Sequence, residues 1–425
     1  MSSFQAPRGT FDVLPADCER RALLEAHAQR ILGAAGYGRI ETPAFEPTEL
    51  FARGVGEATD IVRKEMYTFD DGGGRSLTLR PEGTAPVCRA YLEHGMHRLA
   101  QPVKLWYLSS FFRAEAPQKG RYRQFWQVGA EAIGSDEPAT DAELILLLAD
   151  LLESLGIRGT RLRLSSLGTP ATRADYRQEL IAFLRAHEDG LSPEVVARID
   201  LNPMRAFDAG DRRTRETMRD APLLLHRLAP EDAEHFAAVR ELLDGAGLRY
   251  ELDPTLVRGL DYYTRTVFEF TSDALGAQSG VGGGGRYDGL VQQLGGDPTP
   301  AAGWAAGVER MLLAAGELPV APAVVDLFVA VAVAGDGGRR EDRTRVTGTA
   351  FELANRARRA GLSAQMELAG RSLKGQLRQA DRIGAGWVAI IDGPMQVTLK
   401  NMGSGEQSQL EPAAAIAEIL RGGRL

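Results

Sequence analysis

Two apolar runs joined by a basic loop hold the residue types best suited to catalysis. They lie at positions 105–134, LWYLSSFFRAEAPQKGRYRQFWQVGAEAIG. Because side chains alternate across a strand, pairing the two runs as a hairpin would line one surface with a guanidinium, two carboxylates and an amide. These groups belong to Arg113, Glu115, Gln127 and Glu131. Gly129 would leave room for a polar ligand on this surface, and a solvated sheet face with ordinary ion pairs is the alternative.

The loop between these runs is basic. Lys119, Arg121 and Arg123 occur within positions 118–123, which contain no acidic residue. Such a loop suits an anionic ligand or a nucleic acid, and an ordinary basic turn is the other interpretation.

A second polar cluster lies in TLVRGLDYYTRTVFEF, where Arg258, Asp261, Tyr262 and Tyr263 crowd a glycine-containing turn. Polar groups packed this closely need partners if they are buried. The stretch is therefore either a polar corner of the core or part of a site.

The turn in LTLRPEGTA is a third candidate. A strand is predicted at positions 76–80, and Thr84 is a plausible N-cap for a helix that continues to Glu93. Glu82 would then lie between the strand and the helix, either as a favourable charge at the helix start or as a binding group for an ammonium.

Length and composition indicate a globular protein with two or three domains, since 44% of the 425 residues are hydrophobic and 25% are charged. The net charge of −7 means that a nucleic-acid partner would bind local basic patches. With only two cysteines and no Cys/His cluster at zinc spacing, the sequence predicts a cytoplasmic location and no metal site built from side chains. No apolar run reaches the roughly 18 residues of a membrane span, so no membrane segment is expected.

The order of predicted elements divides the chain into two domains. Residues 1–320 form the first, interrupted at about 169–247 by a helical insertion in which Ala, Arg, Leu and Glu recur at helical spacing. After a proline-containing linker, residues 325–425 alternate strands and helices as an α/β domain does. The glycines at 280–285 lack the context of a nucleotide-binding loop, so we expect them to permit close approach of a ligand or another strand.

Two further segments carry specific expectations. Positions 39–45 have strand character and contain Pro43, which predicts an edge strand or an interface. Positions 339–382 hold eleven Lys or Arg against five Asp or Glu, which indicates an RNA-binding face or a solvated helical surface.

Taken in order, these motifs resemble those of histidyl-tRNA synthetases. The motifs are RGTFDVLP, LTLRPEGTA, FFRAEAPQKGRYRQFWQ, LVRGLDYYTRTVFEF, GGRYDGLVQQLGG and GVERMLL, followed by RSLKGQLRQADRIGA and VTLKNM. The RPEGT turn and the FRxE arginine are shared among class II synthetases, whereas LVRGLDYY and GGRYDGLV are specific to the histidyl family and its paralogue. The resemblance implies an α+β catalytic domain, with an antiparallel sheet flanked by helices and a helical insertion, followed by an α/β anticodon-binding domain.

The resemblance also implies a reaction and a set of site residues. L-histidine and ATP would form histidyl adenylate and pyrophosphate, and the histidyl group would pass to the 3′ terminal ribose of tRNA(His), with Mg²⁺ accompanying ATP. Arg113 and Arg258 would neutralise charge at the α-phosphate. The implied histidine contacts are Glu82, Gly83, Thr84, Gln127, Glu131, Tyr262 and Tyr263. The other implied ATP contacts are Glu115, Arg121, Phe125 and Arg310.

A homodimer is implied as well, formed through the first long helix and the segment bearing Pro43. The alternative is the non-catalytic synthetase paralogue that regulates ATP phosphoribosyltransferase. That paralogue lacks the C-terminal α/β domain and usually loses the ATP and histidine residues. Both are present in this sequence, so the resemblance favours the synthetase.

Overall fold

The computed structural model describes residues 4–56, 59–276, 279–319, 325–332, 340–393 and 396–422, without the side chains of residues 340–343. The chain divides into two compact units, Met1–Leu318 and Pro319–Leu425. Each unit has its own hydrophobic core.

The first unit combines short and long strands with ten helices among its described residues. The strands are β1 Gly38–Arg39, β2 Phe45–Pro47, β3 Tyr67–Asp70, β4 Ser76–Leu79, β5 Val103–Phe112, β6 Gln124–Ile133, β7 Thr160–Ser166, β8 Glu251–Leu252, β9 Thr264–Ser272, β10 Gly280–Arg286 and β11 Ala301–Gly307. The helices are α1 Pro15–Ala34, α2 Thr48–Val55, α3 Thr84–Glu93, α4 Pro138–Ser154, α5 Pro170–Ala186, α6 Pro193–Val196, α7 Arg212–Thr217, α8 Pro230–Gly245, α9 Leu290–Gln293 and α10 Val308–Ala315.

Eight strands form the main sheet in the order β1-β5-β6-β11-β10-β9-β7-β8. The six central strands pair antiparallel, as predicted, whereas β1 and β8 add to the two edges in parallel. The sheet is therefore mixed, because long connections join β1 to β5 and β7 to β8 in place of hairpin turns.

The predicted hairpin of positions 105–134 is β5 and β6, paired from Val103–Ile133 to Phe112–Gln124. One expectation about it was wrong, since β5 ends at Phe112 and both Arg113 and Glu115 lie beyond the strand. The alternation in β6 is as predicted. Val128 and Ala130 pack into the core on one face, which leaves the odd-numbered residues on the other.

Two hydrophobic cores cover the two faces of the main sheet. Helices α1, α4, α8 and α10 cover one face, where Leu24, Leu148 and Val239 pack against Trp106 and Phe268. On the opposite face, residues of α3 and of the insertion pack against Tyr107 of β5 and against tyrosines that flank β9 and β10; these are Tyr262, Tyr263 and Tyr287.

The glycine-rich segment 280–285 is the strand β10, which lies between β9 and β11. A Cβ atom at Gly284 would overlap the carbonyl oxygen of Gly303, and one at Gly283 would overlap that of Phe268. The glycines therefore permit close approach of neighbouring backbone, which was one of the two predicted roles.

A small sheet, ordered β2-β4-β3, lies beside the main one. The turn 71–74 connects β3 to β4 as an antiparallel hairpin. The expectation of one strand across 39–45 was wrong, because Arg39 ends β1 and Phe45 begins β2. Pro43 lies between these two strands, where its lack of a backbone N–H removes no hydrogen bond from a sheet.

The second unit is a mixed five-stranded sheet with three helices among its described residues. Its strands are β12 Val325–Val331, β13 Ala364–Met366, β14 Ala385–Ile391, β15 Val397–Asn401 and β16 Gln407–Leu410. Its helices are α11 Arg340–Arg359, α12 Leu373–Arg382 and α13 Pro412–Arg421. The order is β13-β12-β14-β15-β16, with β12 parallel to both neighbours and the last two strands antiparallel.

Most of the basic segment 339–382 lies on α11 and α12, although Arg339 itself lies outside the described residues. Ser372 caps α12 by accepting a hydrogen bond from the Gly375 amide. Within the described part of the chain, no helix is both long and apolar enough to span a bilayer.

Candidate active site

A cavity of about 890 Å³ opens on the tyrosine-lined face of the main sheet. All but one of the predicted site residues line it. They are Glu82, Gly83, Thr84, Arg113, Glu115, Arg121, Phe125, Gln127, Arg258, Tyr262, Tyr263 and Arg310. Strands, turns and a helix start that are far apart in sequence thus contribute to one cavity.

One side of the cavity, which we call the carboxylate end, is lined by Glu82, Thr84 and Gln127, with Glu131 behind them. Glu82 is 3% exposed, and its carboxylate accepts hydrogen bonds from the amides of Thr84 (2.7 Å) and Ala85 (3.0 Å). Burial raises the pKa of Glu82, although these amides oppose the shift. Glu82 therefore stabilises the start of α3, and the predicted N-cap was misplaced, because Thr84 is the first helical residue and its hydroxyl is directed elsewhere.

Glu131 does not line the cavity but lies directly behind its wall, with no exposed surface. Its Oε1 accepts hydrogen bonds from the hydroxyls of Thr84 (2.8 Å) and Tyr107 (3.4 Å), and its Oε2 accepts one from Tyr287 (2.5 Å). Burial raises the pKa of Glu131 to about 8, despite these donors. A Cβ atom at Gly303 would overlap this carboxylate, so glycine is required on the neighbouring strand.

Gly129 leaves room on the sheet, and a side chain of the protein itself occupies that room. A Cβ atom at Gly129 would overlap the ring of Tyr107, its cross-strand partner, and one at Gly83 would lie too close to the same ring. The aromatic ring, in place of a ligand, fills the space that the sequence pattern indicated. Tyr107 thereby brings its hydroxyl to Glu131.

Gln127 is the residue of the carboxylate end that has an unused polar atom. Its Oε1 is buried and has no hydrogen-bond partner among the described residues. Because a buried acceptor without a partner is costly, this atom indicates a place for a donor from a ligand.

A second group of lining residues, which we call the arginine end, comprises Arg113, Glu115, Arg121, Phe125 and Arg310. The Arg113 guanidinium lies 5.3 Å from the centre of the Phe125 ring and donates to the carbonyl of Pro81 at 2.9 Å. Arg121 is 43% exposed and lies 3.5 Å from the Glu115 carboxylate. Arg310, at the start of α10, donates to the carbonyl of Gly280 at 2.6 Å. Flexible cations and a flat aromatic ring suit a nucleotide.

Arg258 lies in the loop before β9. Its Nη1 donates to Glu269 Oε1 at 3.1 Å, and Arg163 donates to the other oxygen of the same carboxylate at 3.1 Å. Gly283, on the adjacent strand, leaves the space that the Arg258 guanidinium occupies. Next to it, Tyr262 and Tyr263 contact each other with ring centres 4.7 Å apart.

Sequence reasoning missed several polar residues of the cavity, among them Arg163, Arg205, Asp208 and Glu269. Strand alternation could have indicated Glu269, which pairs with Arg163 across β9 and β7. No sequence signal pointed to Arg205 or Asp208, because they belong to the helical insertion and reach the cavity only through the fold.

A polar cavity on a mostly antiparallel sheet, lined by arginines and by a buried carboxylate, is the arrangement expected of a class II aminoacyl-tRNA synthetase. A family model described as histidyl-tRNA synthetase matches residues 9–311, and one described as an anticodon-binding domain matches residues 328–421. The chain belongs to the histidyl-tRNA synthetase family.

Individual relatives agree with this assignment. The chain is 47% identical to a histidine–tRNA ligase of Desulforudis audaxviator, over 98% of this chain and 99% of the relative. It is similar to the structure of apo histidyl-tRNA synthetase from S. aureus, with a TM-score of 0.79 and 34% identity. The match covers 98% of this chain and 100% of that structure. An ATP phosphoribosyltransferase regulatory subunit/histidyl-tRNA synthetase from Bacillus halodurans shares the fold, with a TM-score of 0.65 and 23% identity. That match covers 92% of this chain and 99% of that structure.

Proposed function

We propose that this protein is a histidine–tRNA ligase. It activates L-histidine with ATP to form histidyl adenylate and pyrophosphate, then transfers the histidyl group to the 3′ terminal ribose of tRNA(His). The observation that carries the proposal is the single cavity with a carboxylate end and an arginine end, in a chain of this family.

At the carboxylate end, the α-ammonium of histidine is bound by Glu82, Thr84 and Gln127. Glu82 provides the negative charge, and the buried Oε1 of Gln127 gains the donor that it lacks. Glu131 and the Tyr263 hydroxyl bind the two imidazole nitrogens, with Tyr262 beside them and Gly83 at the turn. The Glu131 carboxylate already accepts three hydroxyl donors, two at Oε1 and one at Oε2, so Oε2 keeps a lone pair for an imidazole N–H.

At the arginine end, ATP is held for attack by the histidine carboxylate on the α-phosphorus. Arg113 and Arg258 neutralise the charge that develops there as pyrophosphate leaves, because a guanidinium grips two oxygens and keeps its proton. Glu115 and Phe125 bind the adenine, Arg310 covers its other side, and Arg121 contacts the outer phosphates.

Mg²⁺ would enter with ATP. It is commonly held by one or two carboxylates together with phosphate oxygens, and it neutralises phosphate charge. The cavity fits this requirement because the carboxylates of Glu65, Glu115 and Glu269 line it. Among the described residues no group of three or more His, Cys, Asp or Glu is arranged to bind a metal by itself.

The proposal includes a homodimer in the cytoplasm. The support for the homodimer is a pair of exposed aromatic rings on the small sheet. Phe45 is 50% exposed, Phe69 is 43% exposed, and their ring centres are 6.1 Å apart. Exposed apolar side chains that lie together favour contact with another chain.

Histidine-dependent exchange of labelled pyrophosphate into ATP, measured without tRNA, tests the proposal directly. We expect exchange with L-histidine and none with glutamine or phenylalanine. Absence of exchange by the folded protein would support the alternative, a non-catalytic regulator of ATP phosphoribosyltransferase.

The anticodon role of the second unit is tested by cutting the chain after Pro319. Every proposed adenylation residue lies in the unit that remains, so exchange should persist while tRNA charging falls steeply. Charging by the full chain should also depend more steeply on salt, because α11 and α12 would contact phosphates. Equal charging by both forms would remove the second unit from tRNA binding.

A further inference from the structure

Side chains of the helical insertion form hydrogen bonds with the loop that carries Arg258. This loop, residues 253–263, lies between β8 and β9 and forms neither helix nor strand. It presents Arg258, Tyr262 and Tyr263 to the cavity. Between residues 259 and 265, every second residue contacts a side chain of the insertion.

Two of these contacts come from the short segment after α6. Arg205 Nη2 donates to the carbonyl of Gly259 at 3.1 Å, while its Nη1 donates to Asp208 at 3.2 Å. Asn202 Nδ2 donates to Asp261 Oδ1 at 3.0 Å. One insertion residue thus holds the backbone next to Arg258, and another holds the side chain three positions further on.

Two more contacts come from α5 and α8. Arg173 Nη1 donates to the carbonyl of Tyr263 at 2.7 Å. Asp232 accepts from Arg265 Nε at 3.1 Å and also from the Thr172 hydroxyl at 2.6 Å. Together with the contact of Asn202 to Asp261, these contacts involve the residues directly before and after Tyr262 and a residue near the start of β9.

The backbone at Arg265 is strained, because its φ of +45° lies in the left-handed region that disfavours residues with a Cβ atom. Such a conformation persists only where the surroundings determine it, and it is common at active sites. Here the Asp232 ion pair and the backbone bonds to Leu167 and Gly168 hold the residue. The end of the loop is therefore held by specific contacts, as its middle is.

We propose that the helical insertion positions Arg258 for adenylate formation, with Asn202 and Arg205 as positioning residues. This inference rests on the proposed role of Arg258. A loop without ladder hydrogen bonds depends on such side chains to hold its carbonyl groups, and a displacement of about 1 Å at a reacting group can cost about 100-fold in rate.

The test compares Arg205→Met and Asn202→Ala with the parent protein and with Arg212→Met. Arg212 lies in the same insertion, is 87% exposed and pairs with Glu216, so it is a matched control. We expect the kcat of pyrophosphate exchange to fall about 10-fold for Arg205→Met and about 3-fold for Asn202→Ala, with the KM for ATP within about two-fold of the parent. Arg212→Met should match the parent.

Arg205 also lines the cavity, so a direct contact with ATP must be separated from positioning. The double variant Arg205→Met/Arg258→Ala does this. If Arg205 acts through Arg258, the double variant should be no slower than Arg258→Ala alone; multiplied effects would overturn the inference.

Parent-like kcat for both Arg205→Met and Asn202→Ala would also overturn it. Asn202→Ala keeps the test decisive if Arg205→Met does not fold. The proposed function has a separate outcome, because it fails if the parent protein shows no histidine-dependent exchange. The proposed role of Arg258 fails if Arg258→Ala leaves exchange unchanged.

Discussion

The two ends of the cavity use polar groups in opposite ways. At the carboxylate end, Glu82 and Glu131 are buried and already hydrogen-bonded by the protein. At the arginine end, Arg121 is exposed and makes one long ion pair. The difference indicates that one end is prepared to discriminate between small ligands, while the other end supplies charge that a nucleotide can reorganise.

Changing the buried end should have the largest effect. We predict that Glu131→Ala removes the preference for histidine over glutamine and phenylalanine, a preference of about 10⁴ or more when buried polar groups expect partners. Exchange rates with the three amino acids measure it. Clear retention of histidine preference would show that Glu131 does not read the imidazole.

Arg258→Ala should have the next largest effect. Losing a donor that stabilises charge in the transition state costs about 3 kcal/mol, so we predict about a 100-fold lower kcat for exchange, with histidine affinity changed much less. The kcat is measured by pyrophosphate exchange, and the affinity for histidine is measured separately by equilibrium binding. A rate within a few-fold of the parent would exclude Arg258 from the chemistry.

The buried carboxylate should also make stability depend on pH. Because the pKa of Glu131 is about 8 in the folded protein and near 4.5 when unfolded, the folded state keeps a proton that the unfolded state has released between these values. Its contribution to the free energy of unfolding should therefore fall by about 1.4 kcal/mol per pH unit across that window. Urea unfolding at pH 6 and pH 8 should show the parent losing stability relative to Glu131→Gln; parallel pH profiles would contradict this.

Changing the exposed end should have the smallest effect. Arg121→Ala is predicted to raise the KM for ATP only a few-fold, because an exposed ion pair contributes about 0–1 kcal/mol. Steady-state exchange at varied ATP concentration measures this. A rise in the KM for ATP of about 100-fold would mean that Arg121 contributes far more than an exposed ion pair does.

The sequence predicted the elements of the site better than their arrangement. The parity of β6 predicted that Gln127, Gly129 and Glu131 share a face, because alternation is a local property of a strand. The start of α3 was misread at Thr84, because the capping group comes from Glu82 and the Thr84 hydroxyl instead binds a residue 47 positions away. The role of Gly129 was also misread, since only strand pairing brings Tyr107 over it.

The sequence by itself determined which residues could do chemistry, the alternation of the strands, the helical character of the insertion and the family resemblance. These follow from residue types and short-range periodicity, which the chain carries before it folds. The tertiary structure decided that Glu131 lies behind the cavity wall, that Glu269 pairs with both Arg163 and Arg258, and that the insertion holds the Arg258 loop. Those contacts join residues far apart in sequence, so they depend on register and packing that local patterns do not encode.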